Sequence, residues 1–89
     1  MTLGKVVGSV VATRKNTALI GQKLMIVKPL YGEEAPFVAT DSIGAGIGEI
    51  VLVAKGSAAR LTVGTDAQSA PVDAAIVGIV DTICAPENL

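Results

Sequence analysis

Three glycines at alternate positions, Gly44, Gly46 and Gly48, stand near the middle of the chain. Glycine has no side chain to bury, so this spacing serves either an unusual backbone shape or the close approach of another segment. The mostly apolar run that follows, residues 49–54, is rich in β-branched side chains and predicts a strand. We therefore expect strands to hold a loop of special shape, and we call residues 44–48 the glycine loop.

Three interpretations of the glycine loop differ in the function that they imply. A dinucleotide cradle needs G-x-G-x-x-G between a strand and a helix, whereas this chain has G-x-G-x-G followed by a strand. A Walker-type loop is also absent, since no Gly-Lys-Ser/Thr occurs. Nucleotide binding is therefore disfavoured. Two alternatives stay open: a tight strand-to-strand turn with positive φ angles, or a loop packed against copies of itself at a symmetry axis.

The apolar content of the chain exceeds what a small core comfortably hides. With 89 residues the chain forms one domain, and 51% of them are hydrophobic although Tyr31 and Phe37 are the only aromatic residues. A domain of this size buries a little over about 60% of its unfolded surface. The aliphatic surplus therefore predicts an oligomer.

Charge and reactive residues argue against several classes of function. The formal net charge is −1, so no strong field attracts nucleic acid or anionic lipid. Histidine is absent, and the single Cys84, expected to be a packing thiol, cannot form an intrachain disulfide. No apolar run approaches the roughly 20 residues that span a bilayer. We expect no enzyme, no cofactor, no metal site and, without a signal peptide, a cytoplasmic location.

The pattern of apolar runs and breakers predicts an all-β fold, a small five-stranded OB-like β-barrel with a short helical turn. The predicted strands are residues 3–13, 23–28, 37–40, 49–55 and 74–84. The first and last are apolar on both faces, so we expect both faces to be covered, with bends at Gly8 and Gly78. Such a barrel is filled by its own side chains.

Several loop residues have predicted local roles. Asp41 is expected to accept backbone N–H groups at the start of the glycine loop. The adjacent Glu33 and Glu34 are interpreted as solvated loop charges. Ser57 is expected to cap a helical turn over residues 56–60, whose free N–H groups could alternatively hold an anion. Residues 61–63 should return to extended chain, and residues 64–73 read as a surface loop.

Three motifs in fixed order carry a resemblance to a known family. They are GAGxGE at residues 44–49, GSAAR at residues 56–60 and PVDAAIVGIVD at residues 71–81. Together with residues 4–8, 24–27 and 38–43 they resemble the EutN/CcmL family, the pentameric vertex proteins of bacterial microcompartment shells. The resemblance covers nearly the whole chain, without the longer C-terminal extension of some members.

The resemblance implies a single vertex-protein domain over residues 1–89. It implies a homopentamer that caps the five-fold vertices of a shell in the cytoplasm, with hexameric and trimeric shell proteins as partners and neither nucleic acid nor membrane. The alternative from the barrel alone is binding of single-stranded nucleic acid, which needs a basic groove and stacking aromatics. The implied residues at the five-fold axis and pore are Gly44, Ala45, Gly46, Ile47 and Gly48. Those implied to face an adjoining hexameric shell protein are Gly56, Ser57, Ala58, Ala59 and Arg60.

Overall fold

Five strands and one short helix make up the fold. The computed structural model describes residues 1–12, 21–61 and 72–85. The strands are β1 (Thr2–Val10), β2 (Lys23–Pro29), β3 (Phe37–Asp41), β4 (Ile50–Lys55) and β5 (Ala74–Ile79), and the helix is α1 (Ser57–Leu61). Among the described residues no helix is long and apolar enough to cross a membrane.

All five predicted strands are present, although several of their predicted ends are wrong. The last strand stops at Ile79 rather than Cys84, because its partner β4 begins at Ile50. The residue after Ile79, Val80, donates its N–H to the Ile50 carbonyl at 2.9 Å. Leu61 ends the helix instead of starting an extended segment. Predictions for Thr13, for residues 14–20 and 62–71, and for the tail beyond Ala85 lie outside the described residues.

The strands close into a barrel in the order β1-β2-β3-β5-β4. Four of the pairings are antiparallel, whereas β3 and β5 run parallel through Thr40↔Ala75 and Asp41↔Ile76. This closure confirms the predicted small five-stranded β-barrel. Because β5 lies between β3 and β4, the glycine loop crosses between strands that are not neighbours. The interpretation of the loop as a hairpin turn is therefore wrong.

The barrel interior is filled by aliphatic side chains. In β2 the alternate residues Met25, Val27 and Pro29 are buried, as the period of two requires, and Phe37 and Ile79 pack against the buried cluster. Small barrels have interiors just wide enough for their own side chains, as predicted. The buried cluster is Val6, Met25, Val27, Ala39, Ala45, Val51, Val53, Ala74 and Ile76.

Within the single chain only one face of the first strand is covered, so the expected cover of the other face by a neighbouring copy stays a prediction. Val6 is fully buried, but Val7 is 46% exposed and Val11, just beyond β1, is 93% exposed. The physical reason is that a barrel has one wall, so one face of each strand lines the core and the other faces outward. Cys84 is also exposed, contrary to its predicted packing role.

Two bulges confirm the predicted bends at Gly8 and Gly78. Between β1 and β2 the register runs from Val6↔Val27 to Gly8↔Ile26, so Val7 is the extra residue. Between β4 and β5 it runs from Leu52↔Gly78 to Val53↔Ile76, which leaves one extra residue next to Gly78. Bulges increase the local bend and twist that closing a narrow barrel requires.

Gly4 marks a close approach between β1 and β2. A Cβ atom built at this position would overlap Cγ1 of Val27, and it would lie 3.1 Å from the backbone oxygen of Lys28. Both neighbours are inside the barrel wall, so a side chain here has no open space to enter. This glycine therefore serves packing rather than a turn.

Candidate functional site

Asp41, the last residue of β3, determines how the chain enters the glycine loop. Its Oδ1 accepts the N–H groups of Ile43 at 2.9 Å and Gly44 at 3.1 Å, and its Oδ2 accepts the N–H of Ala45 at 2.7 Å. A carboxylate is acceptor-only, so it suits three converging donors. The predicted role of Asp41 in accepting backbone N–H groups is confirmed.

Lys23 completes the environment of this carboxylate. Its Nζ lies 3.8 Å from Oδ2 of Asp41 and donates to the carbonyl oxygen of Ala45 at 3.1 Å. The Asp41 side chain is 0% exposed and that of Lys23 is 52% exposed, so the ammonium offsets a buried negative charge from the solvent side. Sequence reasoning missed Lys23, because only the register Lys23↔Asp41 between β2 and β3 brings the two together.

The far end of the glycine loop is tied to Glu49 and to β1. Oε1 of Glu49 accepts the N–H of Gly46 at 2.6 Å, while the N–H of Glu49 donates to the carbonyl of Gly46 at 3.1 Å. Gly48 donates to the Val6 carbonyl at 2.7 Å, and Val6 donates to the Glu49 carbonyl at 2.9 Å. The loop is therefore held at both ends within the single chain.

The three glycines of the glycine loop are needed for different structural reasons. Gly44 has φ of 100° and Gly48 has φ of 95°, a region that other residues seldom adopt, which confirms the expected positive φ angles there. Gly46 is outside that region, so the expectation is wrong for it. A Cβ at Gly46 would lie 3.2 Å from Oε1 of Glu49, so its absence lets that carboxylate reach the backbone.

The glycine loop is anchored inward by one residue and presents apolar side chains outward. Ala45 is fully buried and belongs to the core cluster. Ile47 is 67% exposed, and Ile43, just before the loop, is 46% exposed. The outward side of the loop therefore carries two exposed branched aliphatic side chains, and larger contiguous patches of this kind mark surfaces that contact another protein.

The GSAAR segment, residues 56–60, forms the other candidate site. Gly56 has φ of 66°, donates its N–H to the Asp73 carbonyl at 2.8 Å and accepts the Ala59 N–H at 3.1 Å. Ala59 is fully buried, whereas Ser57 and Ala58 are exposed. Helix α1 begins at Ser57, so the residue before the helix is Gly56 and the predicted capping position of Ser57 is wrong by one. The reason is that the positive φ of Gly56 turns the chain directly out of β4. Arg60 belongs to α1.

The structure does not bring the two candidate segments together. The glycine loop precedes β4 and the GSAAR segment follows it, so they lie at opposite ends of that strand.

Glu34 is exposed, as predicted, and its Oε2 lies 3.8 Å from Nζ of Lys55. The same Nζ lies 3.9 Å from the centre of the Phe37 ring. No group of three or more potential metal ligands occurs within residues 1–12, 21–61 and 72–85.

Comparison with known proteins shows where this architecture occurs. Residues 1–81 match the family model described as ethanolamine utilisation protein EutN/carboxysome. The chain is 49% identical over 87 residues to the bacterial microcompartment shell vertex protein GrpN of Rhodospirillum rubrum, covering 93% of this chain and 96% of the relative. It is 47% identical to the carboxysome shell vertex protein CcmL of Synechocystis sp., covering 93% of this chain and 85% of the relative.

Solved structures agree with the sequence relatives. The GrpN pentameric microcompartment shell protein from Rhodospirillum rubrum has a TM-score of 0.84 at 46% identity, covering 97% of this chain and all of that one (100%). Nostoc sp. PCC 7120 CcmL has a TM-score of 0.83 at 43% identity, covering 93% of this chain and 92% of that one. The chain belongs to the EutN/CcmL family.

Proposed function

We propose that this protein is a structural shell protein whose homopentamers cap the five-fold vertices of a bacterial microcompartment. The observation that carries the proposal is its likeness, over nearly the full length of both chains, to a pentameric shell protein. The barrel supplies what such a role needs, namely a rigid unit with an apolar outer surface for neighbours. The protein acts in the cytoplasm, as part of the shell.

The mechanism is geometric. A sheet of hexagonal tiles is flat, and closing it into a container requires positions of five-fold symmetry. Five copies around an axis form a tapered pentamer that fills such a position. The protein therefore gives the shell its curvature and closes it at the vertices. Its partners are hexameric and trimeric shell proteins. Residues 1–89 act as one domain, and the protein is not an enzyme, which the naming of its relatives as shell vertex proteins supports.

Each candidate segment has a place in this proposal. The glycine loop, Gly44, Ala45, Gly46, Ile47 and Gly48, lies at the five-fold axis and lines a narrow pore, where glycines let five backbones approach closely. The GSAAR segment, Gly56, Ser57, Ala58, Ala59 and Arg60, faces the adjoining hexameric tile. Supporting this, Ser57 and Ala58 are small and exposed, so another backbone can come near. No observation favours the nucleic-acid alternative.

Mass measurement under native conditions tests the pentamer. We expect five chains of 8.9 kDa each at micromolar concentration. A stable monomer or dimer would contradict the proposal. A structure of the assembled ring would then test both placements, since the glycine loop must line the axis and the GSAAR segment must lie on the outer rim.

A further inference from the structure

A cavity of about 310 Å³ opens at one end of the barrel, between the start of β1 and the loop that follows β2. The N–H of Leu30 donates to the Leu3 carbonyl at 3.0 Å, which holds these two segments side by side. The volume is at the lower end of the range for ligand pockets, so the cavity suits one long side chain better than a large ligand. Its lining residues are Met1, Thr2, Leu3, Pro29, Tyr31 and Glu34.

The cavity lies beside the GSAAR segment. Thr2, in its lining, is directly opposite Val53 near the end of β4. The last residue of β4 is Lys55, and Gly56 follows it. Nζ of Lys55 lies 3.8 Å from Oε2 of Glu34, so the lining of the cavity contacts the residue that precedes the GSAAR segment. A partner that docks on the GSAAR segment can therefore reach the cavity as well.

Glu34 gives the cavity a negative wall that is only partly neutralised. Its side chain is 68% exposed, and among the described residues its ion-pair partner is Lys55, which contacts Oε2. The same lysine lies over the Phe37 ring, so it is held from two sides and helps to fix the position of the carboxylate. A carboxylate accepts hydrogen bonds through both of its oxygens, so Oε1 can receive a further donor.

The other walls suit the hydrocarbon part of a basic side chain. Tyr31 is 46% exposed and Met1 is 86% exposed, and both line the cavity together with Pro29. Lysine and arginine bury their methylene groups along such apolar surface and keep the charged end at a polar group. An aromatic ring also attracts a cation that lies over its face. The lining therefore fits an ammonium or guanidinium group better than an anion.

We propose that this cavity receives a lysine or arginine side chain of the adjoining hexameric shell protein, whose cationic end pairs with Glu34 and lies against Tyr31. The inference rests on the proposed function, in which the GSAAR segment faces that tile, and it adds a charged contact beside that segment. Complementary charges across an interface disfavour wrong partners and fix the register of the right one. The cavity therefore helps to select the tile and the position in which it docks.

The first test is the entry of a variant without the negative charge into co-expressed shells. Glu34→Gln should still form a folded pentamer, because its pair with Lys55 is exposed. Its occupancy at the vertices of purified shells should fall about fivefold or more, since an ion pair is lost at each of five contacts. Glu33→Gln is the matched control, because Glu33 is exposed but is not among the lining residues.

The control should keep the occupancy of the unmodified chain. Equal occupancy of the Glu34→Gln and Glu33→Gln variants overturns the inference. Loss of the pentamer in Glu34→Gln also overturns it, because the carboxylate then serves contacts between copies of this chain.

Photo-crosslinking identifies the occupant directly. Tyr31 is replaced by p-benzoylphenylalanine, which keeps an aromatic ring in the cavity, and shells that contain this variant and the hexameric shell protein are irradiated. Mass spectrometry of the crosslinked peptides should find a segment of the hexameric protein that contains lysine or arginine. A crosslink to another copy of this chain, a crosslinked segment without a basic residue, or no crosslink overturns the inference. Failure of the unmodified chain to form pentamers or to enter shells would instead overturn the proposed function.

Discussion

At the scale of single residues, the shape of the glycine loop depends on Asp41. Its carboxylate oxygens accept three backbone N–H groups, and its side chain is 0% exposed. A buried charge is stable only when hydrogen bonds or an opposite charge replace the lost water, and here both are present. Because the groups that contact Asp41 are donors, a side chain at this position must offer two acceptor atoms.

Replacing Asp41 by Asn should therefore destabilise the protein. The amide nitrogen of Asn would face an N–H donor, leaving at least one buried polar group unsatisfied, so the free energy of unfolding should fall by about 1–3 kcal/mol. Urea denaturation followed by circular dichroism measures this loss.

Glu49→Gln is the matched control for this change. The Gln carbonyl can still accept the single N–H of Gly46, and the bond is exposed, so the loss should be below about 1 kcal/mol. Equal losses in the two variants would show that Asp41 has no special place in the loop.

At the scale of secondary-structure elements, the pairing of β1 with β2 decides both packing and surface. Inward, Gly4 lets Val27 occupy the core. On the outer face, the same register places Lys5 opposite Lys28. The bulge at Val7 interrupts the alternation of inward and outward side chains before Gly8. One ladder thus sets the close contact inside the barrel and the charged face outside it.

Because of the close contact at Gly4, we expect two glycines of β1 to differ in how much stability is lost when each is replaced by alanine. Gly4→Ala should lower the free energy of unfolding by about 1–3 kcal/mol, because the added methyl group overlaps Val27 in a filled core. In Gly8→Ala the new Cβ lies 3.4 Å from Cδ1 of Ile26, which is an ordinary contact on the outer face. That variant should change stability by under about 1 kcal/mol.

Thermal unfolding of both variants side by side provides the measurement. If Gly8→Ala proved as harmful as Gly4→Ala, general strand propensity rather than overlap with Val27 would be the cause.

At the scale of the whole molecule, the candidate surfaces are distributed around the barrel. The glycine loop and the GSAAR segment lie at opposite ends of β4, and the exposed Lys5 and Lys28 lie on the outside of β1 and β2. The proposed function requires contacts with copies of the same chain around the five-fold axis and with the surrounding tiles. Separate surfaces allow these contacts to form at the same time.

Arg60→Ala tests the proposed contact between the GSAAR segment and the tiles. Arginine offers a planar fork of donors for carbonyl or carboxylate groups of a neighbouring tile. We expect the pentamer to remain intact while its incorporation into co-expressed shells falls. An exposed ion pair contributes under about 1 kcal/mol, so a clear defect would indicate a well-fitted contact repeated five times per vertex.

Quantification of vertex occupancy in purified shells measures the effect. Shells that close with normal occupancy would show that Arg60 has no contact with the tiles. Loss of the pentamer itself would instead place Arg60 in contact with its own ring.

The sequence by itself determined those features that depend on residues close together along the chain. Five strands, two bends and the barrel class followed from β-branched runs, from Gly8 and Gly78, and from strand lengths. The role of Asp41 followed from local turn chemistry, because its donors are two to four residues away. Membership of the family was suggested by motifs in fixed order.

Only the tertiary structure decided which residues from distant parts of the chain meet. The insertion of β5 beside β3 made the glycine loop a crossover instead of a hairpin, and strand register placed Lys23 beside Asp41. The exposure of Val7 likewise depends on which face of the closed wall it occupies. Register and closure arise from pairing between distant segments. They cannot be predicted from the sequence alone, because a local pattern fixes a strand but not its neighbour.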